Sequence, residues 1–562
     1  MNKIVVIGGS AAGAKAAARA KRMDESAEIT IIQKDPDLSM ATCGYPYYVG
    51  GVFDNRAALI SAPTGVVRDA TYFRNDKGIT ALINTEATSI DTDKKTVRCR
   101  SVQGGSEREI PYDRLVLAMG AHANIPPITG REAAGITTLT SMADTDYLRR
   151  LRDEKKVQRV LVVGGGLIGV EVCEALQHSG IQVTLVEALD QILPFLDWQL
   201  AKLVEQHMHA QGVEVICGVA VQEFLTDKGV VCGARLQDGR EIDCGAVVLA
   251  VGVRPNTALA KNAGLELGDF GGIRVNEFMQ SSHPDIYAAG DCVEIPSRLT
   301  GKPVFAPMGD LANLEGRVAG ENAALGNHAT FPGTIHSGIC KVFAFQAGST
   351  GMSEKMAEKA GIQGYTAVMH ASPDKPGFMG AKLLISKLLV DADQRIIGYQ
   401  CVGPGDVSRQ IATAAMAIQG KLTVAELVSS DLPYAPPFSL AIDHFIAAAH
   451  VMQNKLAGLF TGISAQDVWE MVQKGENVHF LDGRSPQEFA EMRLGIGEKL
   501  LPIGALRSRL AELPQDKTTP IVCFCKISMR GYESARVLQA NGYTNVRVME
   551  GGIMAWPYAR EK

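Results

Sequence analysis

The chain has 562 residues, enough for three or four domains at roughly 100–200 residues each, and its 46% hydrophobic and 21% charged content is that of a globular protein with several cores. Net charge is −5, so no basic balance argues for nucleic acid, and no segment reaches the ~18 uninterrupted apolar residues of a membrane span. Eleven scattered cysteines do not look like a disulfide framework, and the start "MNKIVVIGGS" lacks the apolar core of a secretory signal, so a reducing, cytoplasmic setting is expected.

The first elements read as strand, glycine turn, helix and strand: "KIVVIGG", "SAAGAKAAARAKRM", "AEITIIQ". Gly8-Gly9-Ser10-Ala11-Ala12-Gly13 is a dinucleotide fingerprint with serine at its second glycine position. The first glycine makes the tight turn, a small second residue admits pyrophosphate, and the helix start offers N–H groups to the anion. Gln33 stands where an acid usually holds a ribose; it offers a hydrogen bond without a charge. Next comes "SMATCGYPYYVGG" (39–51), in which Cys43 has no near partner, the following cysteine being Cys99. "YDRLVLAMGA" (112–121) is an apolar strand running into a glycine turn.

A second unit of the same design begins at "VQRVLVVGGG" and returns as "IQVTLVEA". Gly164-Gly165-Gly166-Leu167-Ile168-Gly169 is a complete fingerprint, and Glu187 closes the next strand. A carboxylate there accepts hydrogen bonds from both ribose hydroxyls and repels a 2′-phosphate, and no arginine stands in Ala188-Leu189-Asp190 to receive one, so NADH is expected over NADPH. "AVVLAVGVRPN" (246–256) and "PDIYAAGDCVE" (284–294) are further strands ending in glycine turns. From about 325 the pattern becomes α+β, with Ala-rich helices and "LPYAPPFSLAIDHF" at 432–445. Ser464 reads as the N-cap of a new helix, so a boundary falls near 455–465. The last hundred residues form a small α/β domain in which Cys525-Lys526-Ile527-Ser528-Met529-Arg530 joins the strand "PIVCF" to the helix "GYESARVLQANG". A loop at a helix start points N–H groups at Cys525, which suits a thiolate anion. His336, His370, His444 and His450 lack ligand spacing, and no metal site is expected.

The two fingerprints with "LVLAMGA", "VVLAVGVRPN" and "IYAAGDCVE" resemble the pyridine nucleotide–disulfide oxidoreductases. The resemblance implies FAD at the first site, touched by Gly8, Ser10, Ala11, Gly13, Gln33, Lys34, Thr42, Ala118 and Gly120, with Asp291 on the ribityl chain. It implies NADH at the second, on Gly164, Gly166, Ile168, Gly169, Glu187 and Gly252. Cys43 lies where that family carries a redox cysteine over the flavin, and its stretch resembles the single-cysteine branch: coenzyme A disulfide reductases, persulfide reductases, NADH oxidases and peroxidases. In that branch a tyrosine, here Tyr434, reaches the partner subunit's flavin site, which implies a homodimer. Arg19, Arg22, Ser39 and Thr42 match places that contact coenzyme A, a possible bound ligand. Phe378 departs from the tyrosine of coenzyme A-specific relatives.

The C-terminal stretch resembles a rhodanese, whose six-residue loop carries sulfane sulfur on a cysteine, here Cys525, with Arg530 closing the cradle. Ser528 stands where that loop usually has glycine, and Asp482 and Arg484 match the first-strand pair. Cys523 is two residues before Cys525 on the strand. The expected architecture is α/β, with two doubly wound dinucleotide-binding domains, an α+β dimerisation domain and a small α/β rhodanese domain. The expected bounds are 1–150 and 276–325 for FAD, 151–275 for NADH, 326–455 for dimerisation, 456–465 as linker and 466–562 as rhodanese. The expected activity is NADH-dependent, FAD-dependent reduction of persulfide or polysulfide sulfur, coenzyme A persulfide foremost, through Cys43 and Cys525. Coenzyme A disulfide reduction, an NADH oxidase or peroxidase, and a sulfur carrier or redox sensor with structural FAD stand as alternatives. The expected partners are small persulfides or coenzyme A thiols, not nucleic acid or membrane.

Overall fold

Five parallel strands form the first sheet, in the order Ile286–Ala288, Arg114–Leu117, Lys3–Ile7, Glu28–Ile32, Thr80–Leu82. Their apolar runs are largely buried, as strands covered on both faces require. In this computed structural model residues 2–105 and 107–561 are described. Lys3–Ile7 lies between Glu28–Ile32 and Arg114–Leu117, so the strand order reverses beside it. Ligands of such sheets bind where the order reverses, at the carboxyl ends of the strands, and Gly8 is the next residue. Helix Ala11–Met23 follows, its buried face made of alanines.

The second parallel sheet repeats the plan with Gln182–Glu187, Arg159–Val163, Ala246–Leu249 and Ile136–Thr137 side by side. Helix Leu167–Gln177 follows Arg159–Val163. Two antiparallel three-stranded sheets, Thr85–Asp91 with Thr96–Ser101 and Arg108–Pro111, and Val221–Asp227 with Val230–Leu236 and Glu241–Asp243, extend the two halves. All these belong to one compact unit, which runs to Ala188 and resumes over Ile216–Thr334.

The other unit comprises Leu189–Val215 and the chain from Ile335 onward. The 189–215 stretch packs with this unit. Asp197, before helix Trp198–Ala210, accepts a hydrogen bond from the Gln400 amide (2.8 Å), gives its own N–H to the Gln400 carbonyl oxygen (2.6 Å), and pairs with Lys387 (3.3 Å). Gln400 and Lys387 lie on the antiparallel sheet Gly338–Val342, Phe345–Gly351, Ile396–Gly403, Leu383–Val390, Thr366–Pro373. Helices Val407–Gln419 and His444–Leu456 accompany it. His444 is buried, bonded at Nδ1 to Ser372 (2.7 Å) and at Nε2 to Ser386 (2.8 Å).

The C-terminal sheet is parallel, in the order Gly462–Ile463, Val546–Met549, Ile521–Phe524, His479–Asp482, Lys499–Leu500. Its core gathers Phe480, Val522, Phe524 and Trp556. Ser464 caps helix Ala465–Gln473 by accepting the Asp467 N–H. The 456–465 stretch is more than a connection: Gly462–Ile463 is an edge strand of the sheet, too short for a period-two pattern to reveal. Glu550 ties this sheet to the antiparallel one, accepting from Lys455 Nζ and from the Met369 N–H, both at 2.7 Å. Among the described residues no helix is long and apolar enough to cross a membrane, and no group of His, Cys, Asp and Glu could hold a metal ion.

Candidate active sites

The two fingerprint turns are built alike. Gly8 has φ +100° and Gly164 φ +108°, values that L side chains rarely adopt. A Cβ on Gly8 would overlap the Ala118 carbonyl, and one on Gly164 the Ala250 carbonyl. Gly13 and Gly169 pack equally closely on the Gly8 and Gly164 carbonyls. The strand-end residue then braces the turn. Gln33 Oε1 accepts the Gly9 N–H (2.7 Å), and Glu187 Oε2 accepts the Gly165 N–H (2.6 Å). Gln33 is buried and donates its amide N–H to Asp35 (3.2 Å), so its side chain holds the turn. Lys34 pairs with Glu86 (3.0 Å). Neither Ser10 nor Gly166, at the starts of the two helices, supplies a side-chain cap, so the first-turn N–H groups are left for an anion. This cradle fits a pyrophosphate at each site. Gly120 (φ +65°) and Gly252 (φ +89°) make the turns after the third strands, and the Asn256 and Asn124 N–H groups bond their carbonyls (both 2.9 Å).

Asp291 follows Gly290 (φ +81°), and burial pushes its carboxyl above the usual range. Behind the turn, buried Glu315 accepts the Gly290 N–H (2.7 Å). Burial, opposed by that bond and reinforced by Asp291 and Asp310, pushes Glu315 up to about 8.

Cys43 sits in the turn Thr42–Gly44, exposed, just before helix Tyr45–Gly50. A Cβ on Gly309 would lie 3.4 Å from its sulfur, so the thiol stands at the start of helix Gly309–Leu325, which Met308 leaves without a side-chain cap. A helix start favours a thiolate. The chain packed around the thiol acts against that, followed by the carboxylates of Glu171, Asp291 and Asp310, and the thiol is held above its ordinary value. Glu171 is bonded by the Tyr47 hydroxyl (2.9 Å). Ser39 has φ +54° and gives its N–H to the Gly9 carbonyl (2.7 Å), which draws the Cys43 segment to the fingerprint turn.

Cys525 is fully buried, at the end of Ile521–Phe524. The Ile553 N–H bonds its carbonyl (2.9 Å), and the Met554 N–H bonds that of Lys526 (3.1 Å). Ser528 adopts φ +75°, the glycine-like conformation the loop demands, and its hydroxyl donates to the Met549 carbonyl (2.6 Å). It therefore does not cap helix Met529–Ala540. Arg530 closes the six-residue loop that Cys525 opens and is paired to both oxygens of Glu488, each at 2.7 Å. Asp482 and Arg484 form a buried pair (2.7 Å) whose guanidinium also bonds the Glu488 and Met492 carbonyls; they hold up the domain's interior.

Residues 2–308 match the family model of the pyridine nucleotide-disulphide oxidoreductases, and 338–445 match their dimerisation domain. The chain belongs to that family. Residues 464–558 match the rhodanese-like domain. The "NAD-Dependent Persulfide Reductase from A. fulgidus" superposes with a TM-score of 0.93 at 41% identity, covering 99% of this chain and 100% of that one. The reduced "CoADR-RHD" of Bacillus anthracis gives 0.90 at 34% identity, over 99% and 97%. An NAD(P)H coenzyme A polysulfide/persulfide reductase of Pyrococcus horikoshii is 32% identical over 80% of this chain and 98% of its own length.

As a pyridine nucleotide-disulphide oxidoreductase with a rhodanese domain, the protein is an enzyme whose family uses FAD and NAD(P)H. Held in the Gly8 cradle, FAD would meet Ser10, Ala11, Gly13 and Asp291, and the nucleotide would meet Gly166, Ile168 and Glu187 at the second. Arg19 is committed to Glu321 (2.7 Å), whereas Arg22 is exposed. Tyr434 is 51% exposed on a loop of the other unit, with Phe438 at 70%. Sequence reading passed over Glu315, Glu171 and Glu488. Only Glu488 left a signal, the Ser485-x-x-Glu488 capping box; the other two are acids within helices that only packing brings to a site.

Proposed function

We propose that this oxidoreductase uses NADH to reduce the sulfane sulfur of persulfides and polysulfides, coenzyme A persulfide foremost, with Cys525 as acceptor and carrier of that sulfur. The observation that carries the reading is the pairing, in one chain, of a lone exposed thiol at an uncapped helix start with a buried thiol in a six-residue rhodanese loop. Likeness to a persulfide reductase and to a coenzyme A polysulfide/persulfide reductase supports it.

Bound FAD supplies hydride acceptance from NADH and a pair of electrons for sulfur. Cys43, as thiolate, attacks the thiol-bearing sulfur of R–S–S⁻; the outer sulfur takes a proton from solvent and leaves as HS⁻, and a mixed disulfide with R–S forms. Two electrons then cleave that bond, returning the Cys43 thiolate and releasing R–S⁻, which takes a proton. Overall, R–S–S⁻, NADH and one proton give R–SH, HS⁻ and NAD⁺. One cysteine suffices because the substrate supplies the other half of the disulfide. Glu187, bracing Gly165, sets the preference for NADH. Tyr434 and the exposed Phe438 act across a homodimer, the tyrosine hydroxyl stabilising the departing thiolate. Arg22, Ser39 and Thr42 receive the coenzyme A portion, with Arg19 after exchange of its Glu321 contact. The competing reading, coenzyme A disulfide reduction, is favoured by the relative of that name from Staphylococcus haemolyticus, 28% identical.

Cys43→Ser should lower NADH-dependent sulfide release by more than ~100-fold while leaving flavin reduction at the parent rate, because hydride transfer precedes the sulfur step. Stopped-flow absorbance with a sulfide assay reads both. Persulfide reduction at the parent rate in this variant would end the proposal, and thiol release from coenzyme A disulfide without sulfide release from persulfides would select the competitor.

A further inference from the structure

The sulfur loop carries a charge arrangement that its fold does not require. Arg530 stands beside Cys525, where a guanidinium would draw an anionic sulfur donor toward the thiol. Yet both of its terminal nitrogens are occupied by the two oxygens of Glu488, at 2.7 Å each. Glu488 is held at about 2, by the Arg530 bonds first and with help from the Ser485 N–H, so it is an anion at any working pH. Both side chains are about a third exposed or less, so the pair is open to solvent while Cys525 behind it is buried. A donor therefore meets a neutral pair instead of a free cation. Lys526 is exposed and screened by water, and Met529, 61% exposed, adds an apolar surface.

This matters differently for different donors. A dianion gains twice as much as a monoanion from a bare guanidinium, and it loses twice as much when a fixed carboxylate cancels that charge. From the Glu488–Arg530 pair and the exposed Met529 we infer that Glu488 is a specificity-determining residue, turning the Cys525 loop away from small dianionic donors such as thiosulfate and toward sulfane sulfur carried on an organic thiol. The inference rests on the reading of Cys525 as a sulfur carrier. Both loadings balance: Cys525–S⁻ and S–SO₃²⁻ give Cys525–S–S⁻ and SO₃²⁻, while Cys525–S⁻ and R–S–S⁻ give Cys525–S–S⁻ and R–S⁻. No oxidant is needed, because the sulfur is only transferred.

The test uses the full FAD-loaded chain with Cys43→Ser, and peptide mass spectrometry assigns a gain of one sulfur to Cys525 rather than to exposed Cys232. Loading rates are measured with thiosulfate and with the persulfide of 2-mercaptoethanol, at low and high salt. Glu488→Gln keeps an acceptor for the Ser485 N–H and so preserves the helix start. It should raise the thiosulfate rate roughly 10-fold more than the persulfide rate, with the gap shrinking at high salt. Glu488→Asp, which keeps the charge, should leave the donor ratio at its parent value even if both rates fall. Equal gains, or equal losses, on the two donors in Glu488→Gln would overturn the inference and leave Glu488 as a brace for Arg530. No sulfur on Cys525 of the Glu488-containing chain from either donor would overturn the carrier reading and this inference with it.

Discussion

Cys43 and Cys525 use one device in opposite surroundings. Each precedes or abuts a helix whose first turn has no side-chain cap, Gly309–Leu325 for Cys43 and Met529–Ala540 for Cys525. Cys43 is exposed and lies within reach of the Glu171, Asp291 and Asp310 carboxylates, which add to the surrounding chain in holding its thiol protonated. Cys525 is fully buried beside Arg530. The helix start alone does not define a sulfur site; the charges and exposure around it do. An exposed thiol suits a step in which substrate arrives from solvent and the cofactor's electrons drive the turnover. A buried thiol behind the Arg530–Glu488 pair suits a sulfur that must be kept.

The widest separation between the two is expected from Cys525→Ser. It should lose at least ~10-fold on protein-borne persulfides, the ratio that about 1.4 kcal/mol of barrier gives, while small-thiol persulfides that reach Cys43 directly keep most of their rate. Steady-state sulfide release with both donors measures this. Equal loss on both would make the rhodanese cysteine obligatory, and no loss on either would make its domain a passenger.

A smaller effect is expected at the nucleotide. Glu187→Ala removes the carboxylate proposed to hold the nucleotide ribose together with the brace on Gly165. The ratio of kcat/KM for NADH over NADPH should fall by roughly 10-fold, in line with a hydrogen bond to a charged group. An unchanged ratio would place the preference elsewhere.

The smallest is electrostatic. A thiol whose folded value lies above its ordinary one ionises late as pH rises, so alkylation of Cys43 in the oxidised enzyme should climb through an inflection above that of a free cysteine. Glu171→Gln keeps an acceptor for Tyr47 but removes one carboxylate, the second cause after burial. The inflection should move to lower pH by less than about one unit, since burial and two other carboxylates remain. Iodoacetamide rates across pH read it, and a shift to higher pH would mean that Glu171 does not oppose the thiolate.

Much of this was legible locally. Fingerprint glycines declare themselves because a turn with φ near +100° admits little else, and Gly8 and Gly164 both adopt it. The same holds for the Cys525 loop, a short motif between a strand and a helix, and for the Ser464 cap. Glu187 was recognisable from its place at the end of a strand. Three features were not. The 189–215 segment follows the second fingerprint in sequence but joins the other unit, because Asp197 finds Gln400 some two hundred residues on. Gly462–Ile463 joins the C-terminal sheet through two residues, too few for a pattern. Glu171 and Glu315 lie within helices, and only packing brings one near Cys43 and the other to the Gly290 N–H.

By itself, then, the sequence determined the two dinucleotide folds, the lone cysteine and the rhodanese loop, because turns, alternation and capping act over a few residues and leave their mark in composition. Which charges stand around each sulfur was decided only by tertiary structure. Glu171, Asp291 and Asp310 come from three separate stretches to bear on Cys43, and Glu488 crosses from another helix to neutralise Arg530. Coulombic influence depends on distance through space, and spacing along the chain carries no record of it.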